Sequence, residues 1–126
     1  MTMLFAIASG GAAGALLRHM FNVLSARLFG VEFPWGTLSV NIIGSFVMGV
    51  LVTFFALQYT PSQEMRAFLT VGLLGAFTTF STFSLDVVTL WERGDIHLAI
   101  GYGAASLVLS IGGLILGMII VRQILT

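Results

Sequence analysis

The chain has 126 residues, of which 58% are hydrophobic and only 8% are charged, with a formal net charge of zero. A soluble domain carries roughly 25% charged residues, so the composition excludes a disordered chain, a nucleic-acid binder with a basic patch and almost any soluble enzyme. Because there is no cysteine, disulfides, thiolate metal sites and cysteine nucleophiles are excluded as well. The sequence indicates a small all-α integral membrane protein, folded as a single domain over residues 1–126.

Four transmembrane helices are predicted from the places where the few charged residues fall. A helix needs about 20 apolar residues to cross a bilayer, and the charges cluster between longer uncharged stretches. We predict helices over about 3–27, 35–58, 66–92 and 97–124. Two of the short connections contain the only prolines, Pro34 and Pro61, which are unsuited to a helix interior. The chain is therefore expected to be a four-helix, multi-pass membrane protein.

In the first predicted helix, small residues recur four positions apart at Gly10 and Gly14. The same spacing joins Gly113 and Gly117 in the fourth helix. Small residues on one helix face let two backbones approach closely inside lipid. The pattern predicts tight helix packing and, by itself, no further role.

Polar residues form one stripe on the second predicted helix and another on the fourth. The stripes consist of Thr37, Asn41 and Ser45 on the second helix, and of Tyr102, Ser106 and Ser110 on the fourth. The four-residue spacing places each set on one helix face. Because polar groups are costly inside a bilayer, they need partners or a water-filled path. Two interpretations remain open: hydrogen bonds that hold helices together, or the lining of a narrow polar path.

The middle of the third predicted helix is a weak helix sequence. Gly75 precedes the Thr78–Ser84 run, which is rich in threonine and serine, and these residue types lower helix propensity. We predict a break at mid-membrane, which frees backbone carbonyl groups that suit a small hard cation such as Na⁺. Phe80 and Phe83 lie on one side of this segment. Their rings either pack against neighbours or turn their positive edges towards an anion.

No charged side chain lies near the middle of any predicted span. Hydroxyl and amide groups can bind an anion weakly enough to release it, as conduction requires. The lack of a central carboxylate argues against a proton-coupled or cation-exchanging mechanism. No nucleophile–base pair, metal-ligand cluster or phosphate-binding loop is visible. The sequence therefore predicts no enzyme and favours the passive movement of an anion.

The few arginines are nearly balanced between the two sides of the predicted bundle. Arg66 and Arg122 belong to the side that holds both termini, whereas Arg27 and Arg93, with Arg18 if it counts as terminal, belong to the other. A membrane protein is oriented by an excess of such residues on one side. We predict insertion in both orientations, the alternative being a single orientation set by weaker signals. We also expect an oligomer, because four short helices enclose little space.

These residues together resemble a known family. The stretch GAFTTFSTFS, from Gly75 to Ser84, closely resembles the third-helix signature of the Fluc (CrcB-type) fluoride channels. The resemblance extends to the segment GGxxGAxxR that ends at Arg18, and to GTLxxNxxG from Gly36 to Gly44. The chain length, the four-helix layout and the stripe on the last helix also match. The resemblance covers essentially the whole chain.

The resemblance implies an antiparallel, dual-topology homodimer with two fluoride pores and a central structural Na⁺. Such a channel gives passive export of fluoride from the cytoplasm and lowers fluoride toxicity. Its place is the plasma membrane, the inner membrane of a bacterium. The implied partners are fluoride, a second copy of the chain and the lipid bilayer, with no nucleic acid.

The resemblance also implies roles for single residues. The rings of Phe80 and Phe83 are expected to meet fluoride by their edges, and Asn41 is expected to donate from its amide. Arg18 is a candidate for the pore vestibule. The implied polar track consists of Thr37, Tyr102, Ser106 and Ser110, and the backbone carbonyls implied as Na⁺ ligands are those of Gly75 and Thr78.

Three positions depart from the family pattern. Ala76 stands where a second glycine is frequent, Phe77 where leucine is common and Asp86 where glutamate is usual. The changes stiffen the expected break slightly, add a third ring beside it and shorten a carboxylate side chain.

Two other functions compete with a fluoride channel. A small multidrug exporter also has four helices, but it needs a membrane-embedded carboxylate to exchange protons for a cation. The first helix holds no acid, and Asp86 lies towards the end of the third. A non-transporting subunit of a larger complex would use Asn41 and the two stripes only to hold helices together.

Overall fold

The computed structural model describes residues 1–126, and every regular element in the chain is a helix. The elements are α1 (Thr2–Phe29), α2 (Trp35–Leu57), α3 (Gln63–Arg66), a π-helix (Ala67–Leu74), α4 (Gly75–Phe77), α5 (Phe80–Glu92) and α6 (Ile96–Leu125). The elements from α3 to α5 form the third span, Gln63–Glu92. Four helical spans are long and apolar enough to cross a membrane. The predicted all-helical architecture with four membrane-spanning helices is confirmed.

The third span begins at a side-chain cap and then changes its winding. The Ser62 hydroxyl accepts a hydrogen bond from the Met65 N–H at 3.1 Å, which satisfies one of the free N–H groups at the start of α3. The backbone then winds as a π-helix over Ala67–Leu74. This form is rare and occurs frequently at functional sites. The span begins at Gln63, rather than at about residue 66 as predicted.

Helix α1 packs against the π-helix through backbone-to-backbone contacts. A Cβ atom on Gly10 would overlap the carbonyl oxygen of Phe68, and one on Gly14 would overlap that of Leu73. On the π-helix, Gly72 likewise leaves no room for a Cβ atom against α1. The small residues of α1 therefore bring it close to the third span, just before the Thr78–Ser84 run.

Gly14→Ala is expected to destabilise the protein, whereas Gly11→Ala is not. A methyl group on Gly14 must displace the backbone of Leu73, and such overpacking costs about 1–3 kcal/mol. Nothing lies within 4 Å of a Cβ atom on Gly11, so this matched change on the same helix only gains helix propensity. The thermal midpoint of each purified variant in detergent measures the difference. Equal midpoints would contradict the close contact between α1 and the π-helix.

Helices α2 and α6 form the other close pair. A Cβ atom on Gly49 would overlap the carbonyl oxygen of Leu114, and one on Gly117 would press on the backbone of Phe46 and Val50. Contacts this close need glycine on one of the two helices. They bring the polar stripes of α2 and α6 next to each other, beside α5.

Arg93 ties together the two connections at one end of the bundle. Its guanidinium donates to the Glu32 carbonyl oxygen at 2.6 Å and to the Asp95 carboxylate at 2.7 Å. The second contact is the only salt bridge in the chain. Between Arg93 and Asp95, Gly94 turns the chain with a φ of 92°, a left-handed conformation that glycine adopts without strain. The ends of α1, α2, α5 and α6 are thereby joined on this side.

Candidate functional site

The side chain of Asn41 on α2 holds the backbone of the third span between α4 and α5. Thr78 and Thr79 both have extended backbone there. The Thr79 N–H donates to Asn41 Oδ1 at 2.8 Å, and Asn41 Nδ2 donates to the Thr79 carbonyl oxygen at 3.0 Å. In a continuous α-helix that N–H would donate to the Gly75 carbonyl. Asn41 therefore replaces helical partners with its own amide, an arrangement that we call the Asn41–Thr79 clasp.

The backbone carbonyl groups of Gly75 and Thr78 are among those that lose their helical partners at the clasp. The Gly75 carbonyl does not receive the Thr79 N–H, which is bonded to Asn41. No backbone N–H donates to the Thr78 carbonyl, because the Thr82 N–H donates to the Thr79 hydroxyl at 3.2 Å instead. Oxygen atoms left free in this way are suitable ligands for a hard cation. They belong to the two residues that the family resemblance implies as Na⁺ ligands, which stays a prediction.

Gly44 makes room for the extended pair of threonines. The Thr78 side chain lies where a Cβ atom on Gly44 would be, and the Thr78 hydroxyl donates to the Leu74 carbonyl at 2.9 Å. The Asn41-x-x-Gly44 spacing places both residues on one face of α2. The motif therefore serves one structural purpose, which is to seat Thr78 and Thr79 against α2.

A cavity of about 220 Å³ lies beside the clasp, with walls from α2, α5, α6 and the extended threonines. We call it the clasp cavity, and it is lined by Asn41, Ser45, Thr78, Thr79, Phe80, Phe83, Ser106, Leu107, Ser110 and Ile111. No charged side chain belongs to this lining. The structure thus brings together, from three separate helices, the predicted pore residues Asn41, Phe80, Phe83, Ser106 and Ser110.

Two aromatic rings line the clasp cavity, and a third lies behind them. The ring centroids of Phe80 and Phe83 are 5.4 Å apart, and that of Phe83 is 5.2 Å from that of Tyr102. Phe80 is 75% exposed at the edge of the cavity, whereas Tyr102 is fully buried. Phe77 does not line the cavity, because its ring packs edge-on against Phe21 at 5.4 Å. The departure at Phe77 therefore adds a ring to the helix packing.

Two buried hydroxyl groups of the clasp cavity have no hydrogen-bond partner. The Oγ atoms of Ser106 and Ser110 are buried and unbonded. A helical serine often donates to the carbonyl group four residues before it, as Ser39 and Ser84 do at 2.7 and 3.0 Å. An unpaired buried hydroxyl costs about 1–3 kcal/mol. Both serines therefore hold a donor ready for a group that enters the cavity.

Thr37 and Tyr102, the other residues of the predicted polar track, do not line the clasp cavity. The Tyr102 hydroxyl donates to Asp86 Oδ2 at 3.0 Å. Thr37 lines a second cavity of about 270 Å³ together with Asp86, which we call the Asp86 cavity. Tyr102 lies between the two, because its ring packs against Phe83 of the first at 5.2 Å and against Phe33 of the second at 5.5 Å. The predicted track is thus divided between two cavities.

Sequence reasoning named Arg18 for the vestibule and assigned no role to Thr79 or Thr82. Arg18 is half-buried on α1 and lines neither cavity. The role of Thr79 depends on a contact between residues 38 positions apart, so no local pattern indicated it. The two adjacent threonines after Phe77 were the only available signal.

Comparisons with known proteins agree on one family. The family model described as "CrcB-like protein, Camphor Resistance (CrcB)" matches residues 5–118. A protein of Rhodospirillum centenum named fluoride-specific ion channel FluC is 50% identical over 122 residues, which are 97% of each chain. Proteins of the same name from Agrobacterium fabrum and Cereibacter sphaeroides are 51% and 52% identical, over 94% of each chain.

These relatives are named as ion channels and not as enzymes, in agreement with the prediction from the sequence. With its four membrane-spanning helices, the chain is a multi-pass protein of the plasma membrane. The family model covers most of the chain, and the relatives are about half identical to it over nearly its whole length. Both findings give the same family. The chain belongs to the CrcB family of fluoride-specific ion channels.

Proposed function

We propose that the protein is a fluoride-selective channel that gives passive export of fluoride from the cytoplasm. The clasp cavity carries this proposal, since it offers an amide, two unpaired hydroxyls and two aromatic rings without any charged side chain. Such donors can replace the hydration of fluoride and still release it. Hydrofluoric acid crosses membranes uncharged and dissociates inside, so that fluoride accumulates. A passive path then lets it leave, driven by the negative interior, and lowers its toxicity.

Asn41 can serve both the backbone and fluoride. A side-chain amide has two N–H groups, and Asn41 uses one of them on the Thr79 carbonyl. The other makes no hydrogen bond, although Asn41 lines the clasp cavity. We assign this second N–H to the fluoride path. The clasp itself keeps the amide from turning away, because both of its ends are bonded to Thr79.

The proposed channel is an antiparallel homodimer with two pores, inserted in both orientations. In one chain, Phe80 is 75% exposed at the edge of the clasp cavity, so that this side of the path is open to lipid. Fluoride is strongly hydrated and needs donors on every side when it leaves water. When a second copy is turned over in the membrane, each chain covers the clasp cavity of the other through one symmetric interface. The near balance of arginines on the two sides permits both orientations.

A central Na⁺ between the two third spans fits the carbonyl groups that this chain leaves free. The Thr78 carbonyl and the Gly75 carbonyl would hold it, together with the same groups of the second copy. Uncharged oxygen ligands suit an alkali cation. When bound, the ion supplies positive charge that joins the two chains at the break, which we place at mid-membrane.

Ion efflux from liposomes tests the proposed function. Purified dimeric protein is reconstituted with Na⁺ present, a K⁺ gradient with valinomycin supplies the driving force, and electrodes follow fluoride and chloride. We expect fast loss of fluoride while chloride is retained. If fluoride is retained as well, the proposal is wrong and the clasp is a packing motif. The exporter and the assembly subunit would then be the remaining candidates.

Ser106→Ala and Ser110→Ala are expected to lower fluoride efflux about fivefold to tenfold without lowering stability. Neither hydroxyl is hydrogen-bonded, so each substitution breaks no hydrogen bond. It also removes an unpaired buried polar group, whose burial costs about 1–3 kcal/mol of stability. Ser84→Ala is the matched control, because that hydroxyl is bonded to the Phe80 carbonyl and lies outside the cavity lining. Thermal midpoints and efflux per dimer are measured together. Lower midpoints with normal efflux would show that the serines only hold helices together.

A further inference from the structure

An apolar groove lies on the side of α6 that faces away from the clasp cavity. It has a volume of about 410 Å³ and is lined by Ile42, Val108, Leu109, Gly112, Gly113 and Leu116. On α6, Leu107 and Ile111 line the clasp cavity, whereas Leu109 and Leu116 line the groove. At about 3.6 residues per turn, these two pairs point in nearly opposite directions. The groove, which we call the α6 groove, therefore belongs to a separate surface.

Gly112 lines the α6 groove although the packing of the chain does not require a glycine there. A Cβ atom on Gly112 would meet nothing within 4 Å. Glycine is among the poorest helix formers, so within one chain this residue brings no advantage. Val108 and Leu116 lie four residues to either side of Gly112 and also line the groove. The space between them is thus available to a group from outside the chain.

The α6 groove opens into the hydrocarbon of the membrane. Gly112 lies near the middle of α6, which extends from Ile96 to Leu125 and is one of the four membrane-spanning helices. The groove has no polar side chain in its lining, so water would find no partners there. If it were empty, the atoms of its walls would lose their dispersion contacts. The occupant is therefore apolar, either an acyl chain or a second protein surface.

The proposed dimer favours an acyl chain over a second copy of the chain. A twofold dimer uses one self-complementary surface on each copy. The dimer proposed above uses the surface around Phe80 and the clasp cavity, on the other side of α6. The α6 groove then remains open to lipid. This step rests on the proposed channel, whose assembly is measured separately below.

A positive charge lies on the same face of α6, near the membrane surface. Exposed residues follow one another at steps of three or four positions, from Val108 through Gly112, Ile115 and Ile119 to Arg122, and so share one helix face. Arg122 has no acidic partner, because the only salt bridge joins two other residues. The ten residues from Gly112 to Arg122 rise about 15 Å, which is half of a hydrocarbon core of about 30 Å. A lipid whose phosphate contacts Arg122 therefore reaches the groove with the end of its acyl chain.

We propose that the α6 groove and Arg122 bind one anionic phospholipid in each protomer. A guanidinium can donate two parallel N–H groups to a phosphate, and positive side chains at the membrane surface attract anionic lipids. The acyl chain fills the space beside Gly112, between Val108 and Leu116. The lipid supports the α2–α6 pair from the side opposite the clasp cavity. In the antiparallel dimer, the two sites lie in opposite leaflets.

Thermal stabilisation by added lipid tests the site on the purified dimer in detergent. Phosphatidylglycerol, which is anionic, and phosphatidylcholine, which is zwitterionic, are titrated separately, and the rise of the thermal midpoint gives the apparent affinity. Wild type should prefer phosphatidylglycerol. Gly112→Leu fills the groove and should weaken the binding of phosphatidylglycerol about tenfold. Arg122→Gln should weaken it about fivefold and remove the preference over phosphatidylcholine.

Two matched controls lie outside the proposed site. Gly101→Leu makes the same change on α6, at a position where a Cβ atom also meets nothing within 4 Å. Arg27→Gln removes the basic residue from the last turn of α1. Both should bind phosphatidylglycerol as wild type does. Equal binding by wild type, Gly112→Leu and Gly101→Leu would overturn the proposal, and so would equal binding of the two lipids by wild type.

Photolabelling locates the lipid on the wild-type dimer without any substitution. Phosphatidylglycerol with a diazirine near the end of an acyl chain should label the α6 segment Val108–Leu116, as identified by mass spectrometry. Labelling of other segments alone would overturn the proposal. If Gly112→Leu is monomeric by size exclusion and this segment is unlabelled in wild type, a second copy occupies the groove and the proposal is wrong. Fluoride efflux and the oligomeric state of wild type are measured separately, so that a failure of the proposed channel is distinguishable from a failure of lipid binding.

Discussion

Replacing Phe80 or Phe83 with isoleucine is expected to lower fluoride efflux about tenfold while the dimer stays folded. Isoleucine keeps apolar bulk but has no positive ring edge that an anion can meet. The two rings lie 5.4 Å apart beside the clasp cavity, so each variant removes one of two neighbouring contacts. A loss of about 1.4 kcal/mol at the highest barrier corresponds to a factor of ten in rate. Efflux per reconstituted dimer is the measurement.

Phe5→Ile is the matched control for these two variants. Phe5 is 68% exposed on α1 and lines neither cavity, so its replacement should leave efflux unchanged. The Phe80 ring is also largely exposed in one chain, and its loss costs little packing within the protomer. Normal efflux in both cavity variants would show that the rings only pack against neighbours. The ring-edge role would then be wrong.

The four membrane-spanning helices could be predicted because a bilayer imposes a coarse rule on the sequence. Every span needs a long uncharged stretch, and the charges of this chain leave four of them. Family membership was equally accessible, since the GAFTTFSTFS segment from Gly75 to Ser84 is a long local signature. Both features depend on residues that are neighbours in the chain.

Contacts between distant residues could not be predicted in the same way. The stripe from Thr37 to Ser45 was interpreted either as hydrogen bonds between helices or as the lining of one path. Eight residues of helix rise about 12 Å, which exceeds a single small cavity. Asn41 and Ser45 consequently line the clasp cavity, whereas Thr37 lines the Asp86 cavity. The same rise along α6 separates Tyr102, which is bonded to Asp86, from Ser110, which lines the clasp cavity. The periodicity identifies the helix face but not where along it a cavity ends.

The π-helix over Ala67–Leu74 had no counterpart in the sequence analysis. Its sequence, AFLTVGLL, is a plain apolar segment with one glycine. The winding coincides with the tightest contacts to α1, where Gly10 and Gly14 admit the carbonyl groups of the π-helix. Tertiary packing of this kind overrides local propensity, and a single-helix pattern does not contain it.

Asn41→Asp is expected to abolish fluoride efflux, by a factor of at least about a hundred. Aspartate has nearly the same shape and still accepts the Thr79 N–H, the bond of 2.8 Å in the wild type. It cannot donate to the Thr79 carbonyl, and it places a negative charge in a cavity that holds none. Two like charges about 4 Å apart repel by about 4 kcal/mol at an effective dielectric constant of about 20. Fluoride efflux and the thermal midpoint are measured together.

Asn41→Leu separates the two roles that the clasp combines. Leucine introduces no charge but leaves both the N–H and the carbonyl of Thr79 unpaired, at a cost of about 1–3 kcal/mol for each group. The leucine variant should therefore lose more stability than the aspartate variant, while both lose efflux. Ser39→Ala is the control on α2, since that hydroxyl is bonded to the Trp35 carbonyl and lies outside the cavity. Retained efflux in Asn41→Asp would place the fluoride path elsewhere, because the introduced carboxylate would repel fluoride at this position.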